Sequence, residues 1–422
     1  MSIPERAVQT AASSHPDSSS LLLSISFVEF VCLTACLMAM TAMSIDIMLP
    51  ALPQIASSFG VANENDRQLI VILYMAGFAA GQILFGPLSD HYGRKPILML
   101  GLVVFIFGTI GALWAGSFET LLVARLVQGI GAASPRIIAI AVVRDLYAGR
   151  QMARVMSFAM MVFITIPVLA PSVGQALVHV GNWHWIFFGL LVMASIAALW
   201  AGVRLPETAG AARGIERAMT VHQALLTAIF NPQTVGYGAA GGFMFGCLLS
   251  YVASAQQVFV EVFGIGDDFP IVFGAIASAI AFASFVNAKL VGHLGMRRVS
   301  HIALVGFIAV SAALTVLAEA GAAGFATFAI AVGVSFFLFG LIAPNFNAIA
   351  MEPQGHNAGM ASSVIGALST AVGAVAGGLV AHAFDGSIIP IAAGFAICSL
   401  LAGLIVLGIE GPAGLFGRNR PA

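Results

Sequence analysis

The chain has 422 residues, 60% of them apolar, a mean hydropathy of +1.00 and a formal net charge of −1. A water-soluble chain cannot hide that much apolar surface, so a soluble globular class is excluded. The near-zero net charge says nothing about nucleic acid, and no basic face suggests such a partner.

In chain order, the first stretch, "MSIPERAVQTAASSHPDSSS", is polar and Ser-rich. It lacks a basic start, an apolar core and a small-residue cleavage site, so residues 1–23 are expected to be a disordered tail rather than a signal peptide. Twelve apolar runs follow, each long enough to cross a bilayer as a helix. Their limits are 24–48, 68–89, 96–116, 120–143, 155–178, 184–203, 233–258, 270–290, 299–319, 324–350, 358–383 and 388–409. No short-period alternation is present, which argues for helices over a membrane barrel. Cys32, Cys36, Cys247 and Cys398 all fall inside these runs, with no disulfide framework or zinc spacing. His179, His184, His293, His356 and His382 lie at span ends or in loops without metal-ligand spacing, so no metal is expected.

Placing the N-terminus inside puts 14 of the 17 Lys and Arg residues on one side. These are Arg6, Arg94, Lys95, Arg144, Arg150, Arg154, Arg204, Arg213, Arg217, Lys289, Arg297, Arg298, Arg418 and Arg420. Only Arg67 lies outside, and Arg125 and Arg136 lie within span 4. This asymmetry supports both the span count and cytoplasmic termini. The charged connection 204–231 follows span 6 and divides the chain into an N-terminal six-helix bundle, 24–203, and a C-terminal one, 232–409, with a cytoplasmic tail at 410–422. Each half carries a basic turn after its second span, "GPLSDHYGRKP" and "KLVGHLGMRRVS", although the second lacks the Asp. Such weak internal symmetry is expected of a duplicated transporter. The two lysines, Lys95 and Lys289, sit in no phosphate-loop pattern. Neither a zinc-protease helix nor a nucleophile elbow is present, so an enzyme is not expected and no cofactor is implied.

"GPLSDHYGRKP" (86–96) resembles the loop 2–3 signature of the major facilitator superfamily. "SIDIMLPALPQIASSFG" (44–60), "RLVQGIGAASPRIIAIAVVRDLY" (125–147), "LAPSVG" (169–174), "LPET" (205–208) and the 344–379 stretch resemble the twelve-helix drug:H+ antiporter family, in its bicyclomycin-resistance-like multidrug efflux branch. The resemblance covers residues 40–380. It implies an all-α integral membrane fold of two six-helix bundles and secondary transport by alternating access. It further implies proton-coupled efflux of small amphipathic compounds from a bacterial cytoplasmic membrane, by a monomer whose partners are substrate, protons and lipid. Import of a metabolite, or a non-transporting receptor on the same fold, are the alternatives. The span 5 pattern is partly kept: Pro167, Pro171 and Gly174 are present for bending and close packing, whereas Ala170 and Gln175 depart from it.

Charge inside the bilayer invites a functional hypothesis. Asp46, one turn inside the outer end of span 1, is either an interfacial carboxylate or a protonatable group reachable from the cavity, and the resemblance favours the second. Arg125 and Arg136 lie eleven residues apart and share one helix face with Gln128. Arg125 is expected either to pair structurally or to couple with Asp46. Arg136 either favours an anionic or zwitterionic substrate or snorkels to the inner face. Glu29 reads as a solvated inner charge more readily than as a proton carrier. Tyr74, Gln82, Gln128, Gln256, Gln257, Asn345 and Asn347 are polar candidates for the cavity wall. The 31 Phe and 17 Met offer it an adaptable apolar lining.

The turn itself exceeds what orientation requires. Gly86 allows close helix approach and Gly93 a positive φ. Asp90 and Arg94, four apart, can pair. The resemblance adds Asp145. The N-terminus of span 11 is a candidate to receive Asp90 through its helix dipole. With Lys95, these residues are expected to form a cytoplasmic gating latch outside the substrate site.

Overall fold

The computed structural model describes residues 25–147, 149–208 and 221–414. The expected tail over residues 1–23 therefore lies outside the described residues, as does the stretch 209–220 of the central connection. Among the described residues there are twelve long helices: α1 (Phe27–Asp46), α2 (Leu69–Tyr92), α3 (Arg94–Leu113), α4 (Phe118–Leu146), α5 (Gly149–Val180), α6 (His184–Arg204), α7 (Pro232–Gln256), α8 (Phe269–Leu294), α9 (Met296–Glu319), α10 (Phe325–Met351), α11 (Ala358–His382) and α12 (Ile389–Gly414). Among the described residues eleven are long and apolar enough to cross a bilayer, and α5 adds the apolar stretch Thr165–Val180. A short helix, Val221–Ile229, lies within the connection between α6 and α7.

Local chemistry starts these helices where the chain needs them. The Ser26 hydroxyl accepts from the Glu29 amide at the start of α1. Ser117 and Thr120 form a reciprocal capping box on α4. Asn231 caps α7, with Pro232 at its first position. Each fills a backbone donor that the first helical turn leaves open or, for Pro232, removes it. Helices α2 and α3 pack on α4, and α11 and α12 pack on α7. Gly129 allows the first of these contacts, because a Cβ there would collide with the Tyr74 backbone. Van der Waals packing at such small residues is a main source of helix association in lipid. The halves meet along two seams, α2 against α11 and α5 against α8.

An arginine fork anchors the same corner of each half. Gly93 (φ 108°) and Gly295 (φ 81°) end α2 and α8 in a backbone conformation that a side chain would strain. Arg94 and Arg297 follow. Arg94 donates from Nε to Asp145 at the end of α4 (2.8 Å) and from Nη1 to Asp90 (2.6 Å). The Glu207 carboxylate, just past α6, accepts from the Arg94 and Lys95 amides at 2.9 and 3.1 Å. Arg297 donates from Nε to Glu410 on α12 (2.8 Å) and from Nη2 to Glu352 just past α10 (2.7 Å). The second basic turn lacks an Asp of its own, and the ends of α10 and α12 supply its carboxylates instead. Tyr237 extends this cluster: its hydroxyl lies 2.9 Å from Glu410 and 2.9 Å from His301 Nε2.

The arginine-rich face is open between the halves, and the opposite, far face is closed. There the loop after α1 reaches across to the C-terminal half. The Asn65 side chain donates to the His382 and Phe384 carbonyls at 3.0 and 2.7 Å. Arg67, only 4% exposed, pairs with Glu261. Gln68 donates to Gln257, whose own amide donates to Asn65 at 3.1 Å. His382 Nδ1 lies 3.9 Å from Asp66. Gln257 was expected at the cavity wall. It instead begins a π-helical turn, Gln257–Val262, that ends α7 and aims its amide into this closure.

Two outcomes follow from these pairs. Arg297→Gln leaves Glu410 and Glu352 without their cation, and breaking such a buried pair costs about 3 kcal/mol. The detergent-solubilised variant should melt several degrees lower, and Arg297→Lys should recover only part of the loss because a point charge cannot fork to both carboxylates. Melting at the wild-type temperature would contradict the anchor. Arg67→Gln should weaken the far-face closure by about tenfold in the open–closed equilibrium, about 1.4 kcal/mol. A Ser254→Cys reporter in a background lacking the four native cysteines should then be alkylated about tenfold faster from that face; an unchanged rate would remove Arg67 from the closure.

Candidate functional site

A cavity of about 330 Å³ lies between the halves and opens on the arginine-rich face. Helices α2 and α4 supply Gln82, Asp90, Arg136 and Arg144; α7, α10 and α11 supply Tyr237, Phe245, Phe339, Phe346, Asn347 and Ser363. The first wall carries the charge, and the second combines aromatic rings with the hydroxyls of Ser362, Ser363, Ser369 and Thr370. The Gln82 side chain bridges the halves by donating to Thr370 at 2.8 Å. Beside it, Gly86 lets α2 come so close to α11 that a Cβ would meet the Ser363 hydroxyl.

Of the expected wall residues, Gln82, Arg136 and Asn347 line the cavity. The others lie elsewhere. Tyr74 and Gln128 are fully buried within the N-terminal half. Asn345 is turned into the C-terminal half, where its amide donates to Asn287 at 2.7 Å. Gln257 is in the far-face closure, and Gln256, 8% exposed, lies beyond the cavity at the same end of α7. Tyr74, Gln128, Asn345 and Gln257 find protein partners, whereas the Gln256 side-chain oxygen is buried without one, and sequence polarity alone does not separate these fates from a place on the cavity wall.

Arg125 and Arg136 share a stripe of α4 but have different surroundings. Arg125 is fully buried. It donates from Nε to the Ile70 carbonyl (3.2 Å) and from Nη2 to the Ser44 carbonyl (3.1 Å), and Nη1 binds the Gln128 amide oxygen. Its guanidinium lies 4.3 Å from the Tyr74 ring centroid. Gln128 in turn donates to Thr109 on α3 at 2.7 Å. Arg125 thus ties α1, α2 and, through Gln128, α3 to α4. The structure gives it no hydrogen bond or ion pair to Asp46. That carboxyl is buried, 5% exposed, at the far-face end of α1. The expected direct coupling is replaced by a backbone contact two residues earlier, at Ser44. Arg136 sits nearer the arginine-rich face, half-buried, with its guanidinium 5.7 Å from the Phe78 ring centroid.

The charged turn at the mouth brings Asp90, Arg94 and Asp145 together, with Ser89 and Thr208 as further partners. These described partners all belong to the N-terminal half or to the chain just after it. The Lys95 ammonium is in none of the described ion pairs. Arg144 reaches the start of α11, where a Cβ on Gly359 would lie 3.9 Å from its guanidinium. On α5, Gly174 packs so tightly that a Cβ would strike the Ile47 carbonyl, and Pro167 and Pro171 lie within the same helix. Glu29 is not a free solvated charge: it accepts from Arg204 at 2.6 and 2.7 Å and from Trp200 at 3.2 Å. Sequence reasoning missed Arg67, Glu261 and His301. Only the burial of a loop arginine and of a mid-helix histidine reveals them. Among the described residues no group of His, Cys, Asp and Glu is arranged to hold a metal ion.

The sequence profile described as Major Facilitator Superfamily matches residues 34–378. A relative from Haemophilus influenzae named "Bicyclomycin resistance protein homolog" is 32% identical over 343 residues, covering 80% of this chain and 85% of that one. "Multidrug resistance protein MdtL" of Klebsiella pneumoniae is 34% identical over 164 residues, covering 39% of this chain and 42% of that one. Among solved structures, a partially occluded, inward-open conformation of the xylose transporter XylE from E. coli has a TM-score of 0.71 at 15% identity, covering 95% of this chain and all of that one. At that identity it speaks for the fold alone. A long sequence match, twelve helices in two bundles and a cavity between them lead to one conclusion: this chain is a multi-pass membrane transporter of the Major Facilitator Superfamily.

Proposed function

We propose that the protein exports small amphipathic compounds, drugs among them, across the bacterial cytoplasmic membrane in exchange for protons. The arginine-rich face is then cytoplasmic, as the positive-inside asymmetry requires. The two halves, 24–203 and 232–409, are the rocking units, and the chain works as a monomer. The observation that carries this reading is the cavity's one-sided opening, toward the arginine-rich face, with the far face held shut by Arg67, Gln68 and Asn65. The name of the long-matching Haemophilus influenzae relative, and that of the shorter Klebsiella pneumoniae match, support efflux as the direction.

In the cycle, the conformation described is inward-open and ready to load substrate. Asp46 is the proton site. It lies beyond the closed end of the cavity, on the side that faces outside water when the halves rock. Burying an unpaired carboxylate as an ion costs far more than burying it as a neutral acid. A proton taken up from outside therefore favours closing the far face over Asp46, and substrate binding in the cavity favours the reverse. The two ligands need only disfavour each other through the shared conformational equilibrium. Arg125 shapes this site through the Ser44 backbone rather than by touching the acid. The turn of Gly86, Asp90, Gly93, Arg94, Lys95 and Asp145 serves as the cytoplasmic latch. Its described ion pairs lie within its own half, and it meets α11 when the cytoplasmic face shuts.

Everted membrane vesicles test the reading. An imposed inside-acid gradient should drive accumulation of an exported dye or antibiotic from a screening panel. Asp46→Asn should lower that accumulation at least tenfold while the protein remains in the membrane. Loss of compound from wild-type vesicles under the same gradient, or full accumulation by Asp46→Asn, would sink proton-coupled export through this residue.

A further inference from the structure

Unpartnered polar groups gather toward the far face. Among the described residues, five buried side-chain atoms have no hydrogen-bond partner: Gln54 and Gln68 Oε1 in the N-terminal half, and the Tyr251 hydroxyl, Ser254 Oγ and Gln256 Oε1 on the last turns of α7. A polar group shut away from water without a partner is costly, so each of these calls for a use. Asp46 belongs with them. It is 5% exposed, and its carboxylate is in none of the described hydrogen bonds or ion pairs. We propose that Tyr251 is the partner of Asp46 across the seam: its hydroxyl serves the Asp46 carboxyl while the far face is shut, directly or through one water, and so ties the state of Asp46 to how the two halves stand.

Three contacts bring the two residues to one place. The turn Leu49–Ala51, just past Asp46, packs on α7. Ile47, the neighbour of Asp46, meets α5 at Gly174, where a Cβ would strike its carbonyl. Within two turns on the same helix, Val168 meets Gly274 of α8, and the neighbouring Phe273 stacks on Tyr251 with ring centroids 5.4 Å apart. Helix α5 therefore carries the surroundings of both residues on one short stretch. The Asp46 charge acts on the Tyr251 hydroxyl across the gap. Phe336 and Phe259, with centroids 4.8 and 6.1 Å away, hold the tyrosine ring in place.

The other titratable groups around Asp46 are engaged or displaced. Tyr74 on α2 also feels its charge, but its hydroxyl donates to the Thr41 carbonyl at 3.4 Å. Arg125 on α4 is bonded to Ile70, Ser44 and Gln128. Glu119 at the start of α4 and His179 at the end of α5 are exposed, and His184 on α6 stacks on Trp183. Glu29, Arg150, Arg154 and Arg204 stand at the opposite ends of the helices that carry them. Arg67 and Glu261 pair within the closure itself. Helix α7 contributes no charged residue, so the hydroxyl of Tyr251 is what it offers the acid.

A hydroxyl donor eases the burial of a carboxylate, and it is also an acceptor for the acid once protonated. One neutral donor does not replace the water around a charge, so closing over the protonated acid remains the easier course. Because Tyr251 belongs to the C-terminal half, its contribution exists only while the halves stand together at the far face. Removing the hydroxyl therefore weakens closure, most where Asp46 is ionised, and more acid is then needed to shut that face. Tyr251 is in this sense a positioning residue, acting through Asp46.

The proposal rests on reading Asp46 as the proton site, and its test keeps the two claims apart. Spin labels at Glu64 and Ala383 report the closed-to-open ratio of the far face in purified full-length protein in detergent, in a background lacking the four native cysteines. The titration runs from about pH 5 to about pH 9, a range that buried carboxylates reach. Tyr251→Phe, which keeps the ring, should lower the ratio about tenfold near neutral pH and move the midpoint of closure toward acid. In an Asp46→Ala background the same substitution should change the ratio by less than about twofold, since no contact is left to lose. Asp46→Ala by itself should flatten the pH response. Equal falls in both backgrounds would make Tyr251 a packing residue and overturn the proposal, as would a ratio that Tyr251→Phe leaves unchanged. If Asp46→Ala flattens the response and the two substitutions do not couple, Asp46 stays the proton site and the pair is rejected. If they couple while Asp46→Ala titrates like the wild type, the pair stands and Asp46 is rejected as the proton site.

Discussion

A charge within a bilayer has to be paired, hydrated or used, and in this protein that constraint separates the arginines into distinct tasks. Arg94 and Arg297 are paired. Each forks between carboxylates at the ends of two other helices and so fixes which helices stand together at the arginine-rich face. Arg125 is satisfied by carbonyls, an amide and a ring, and it ties together the core of the N-terminal half. Arg67 crosses to Glu261 and holds the far face shut. Arg136, half-buried, lines the cavity together with Arg94 and Arg144.

The two forks are the clearest trace of the internal duplication. In each half a glycine with positive φ ends the second helix, an arginine opens the third, and acids at or just past the ends of the fourth and sixth helices receive that segment. The halves are not equal, however. In the N-terminal half Glu207 caps backbone amides, which leaves Arg94 free to reach Asp90 at the rim of the cavity. In the C-terminal half Glu410 takes the arginine itself, and Tyr237 and His301 enclose it. One corner is thus built as a fixed anchor, while the other keeps a carboxylate, Asp90, at the rim of the cavity.

Much of this was legible in the sequence, and what was not has a physical reason. Span positions, the two-half division and the basic turns follow from hydropathy and glycine placement, which are local. The Asp90–Arg94 pair follows from a four-residue spacing. The far-face closure was invisible because Arg67 and Glu261 come from loops of different halves, and no periodicity links them. Gln257 was misplaced because a π-turn changes which way side chains point at the end of α7. Matched depths left Arg125 two readings, a coupling to Asp46 or a structural partner, and the second is the one seen. The rotation of α1 about its own axis, which depth does not reveal, brings the Ser44 carbonyl to Arg125 instead. Tyr74, Gln128 and Asn345 show the same limit: a polar side chain in an apolar run has a partner somewhere, and only packing shows whether that partner is protein or substrate.

The account as a whole claims that the two faces are reciprocal, so that closure by Arg67 and its neighbours at one face is what opens the cavity at the other. Distances between paired spin labels measure this directly. One pair would sit on the far face at Glu64 and Ala383, the other on the arginine-rich face at Tyr92 and Leu294, all of them exposed. Acidification and then a transported compound should change the two distances in opposite directions, the far-face distance shortening with proton uptake as the other lengthens. Two distances that move in the same direction, or one that moves while the other stays fixed, would contradict alternating access between these halves.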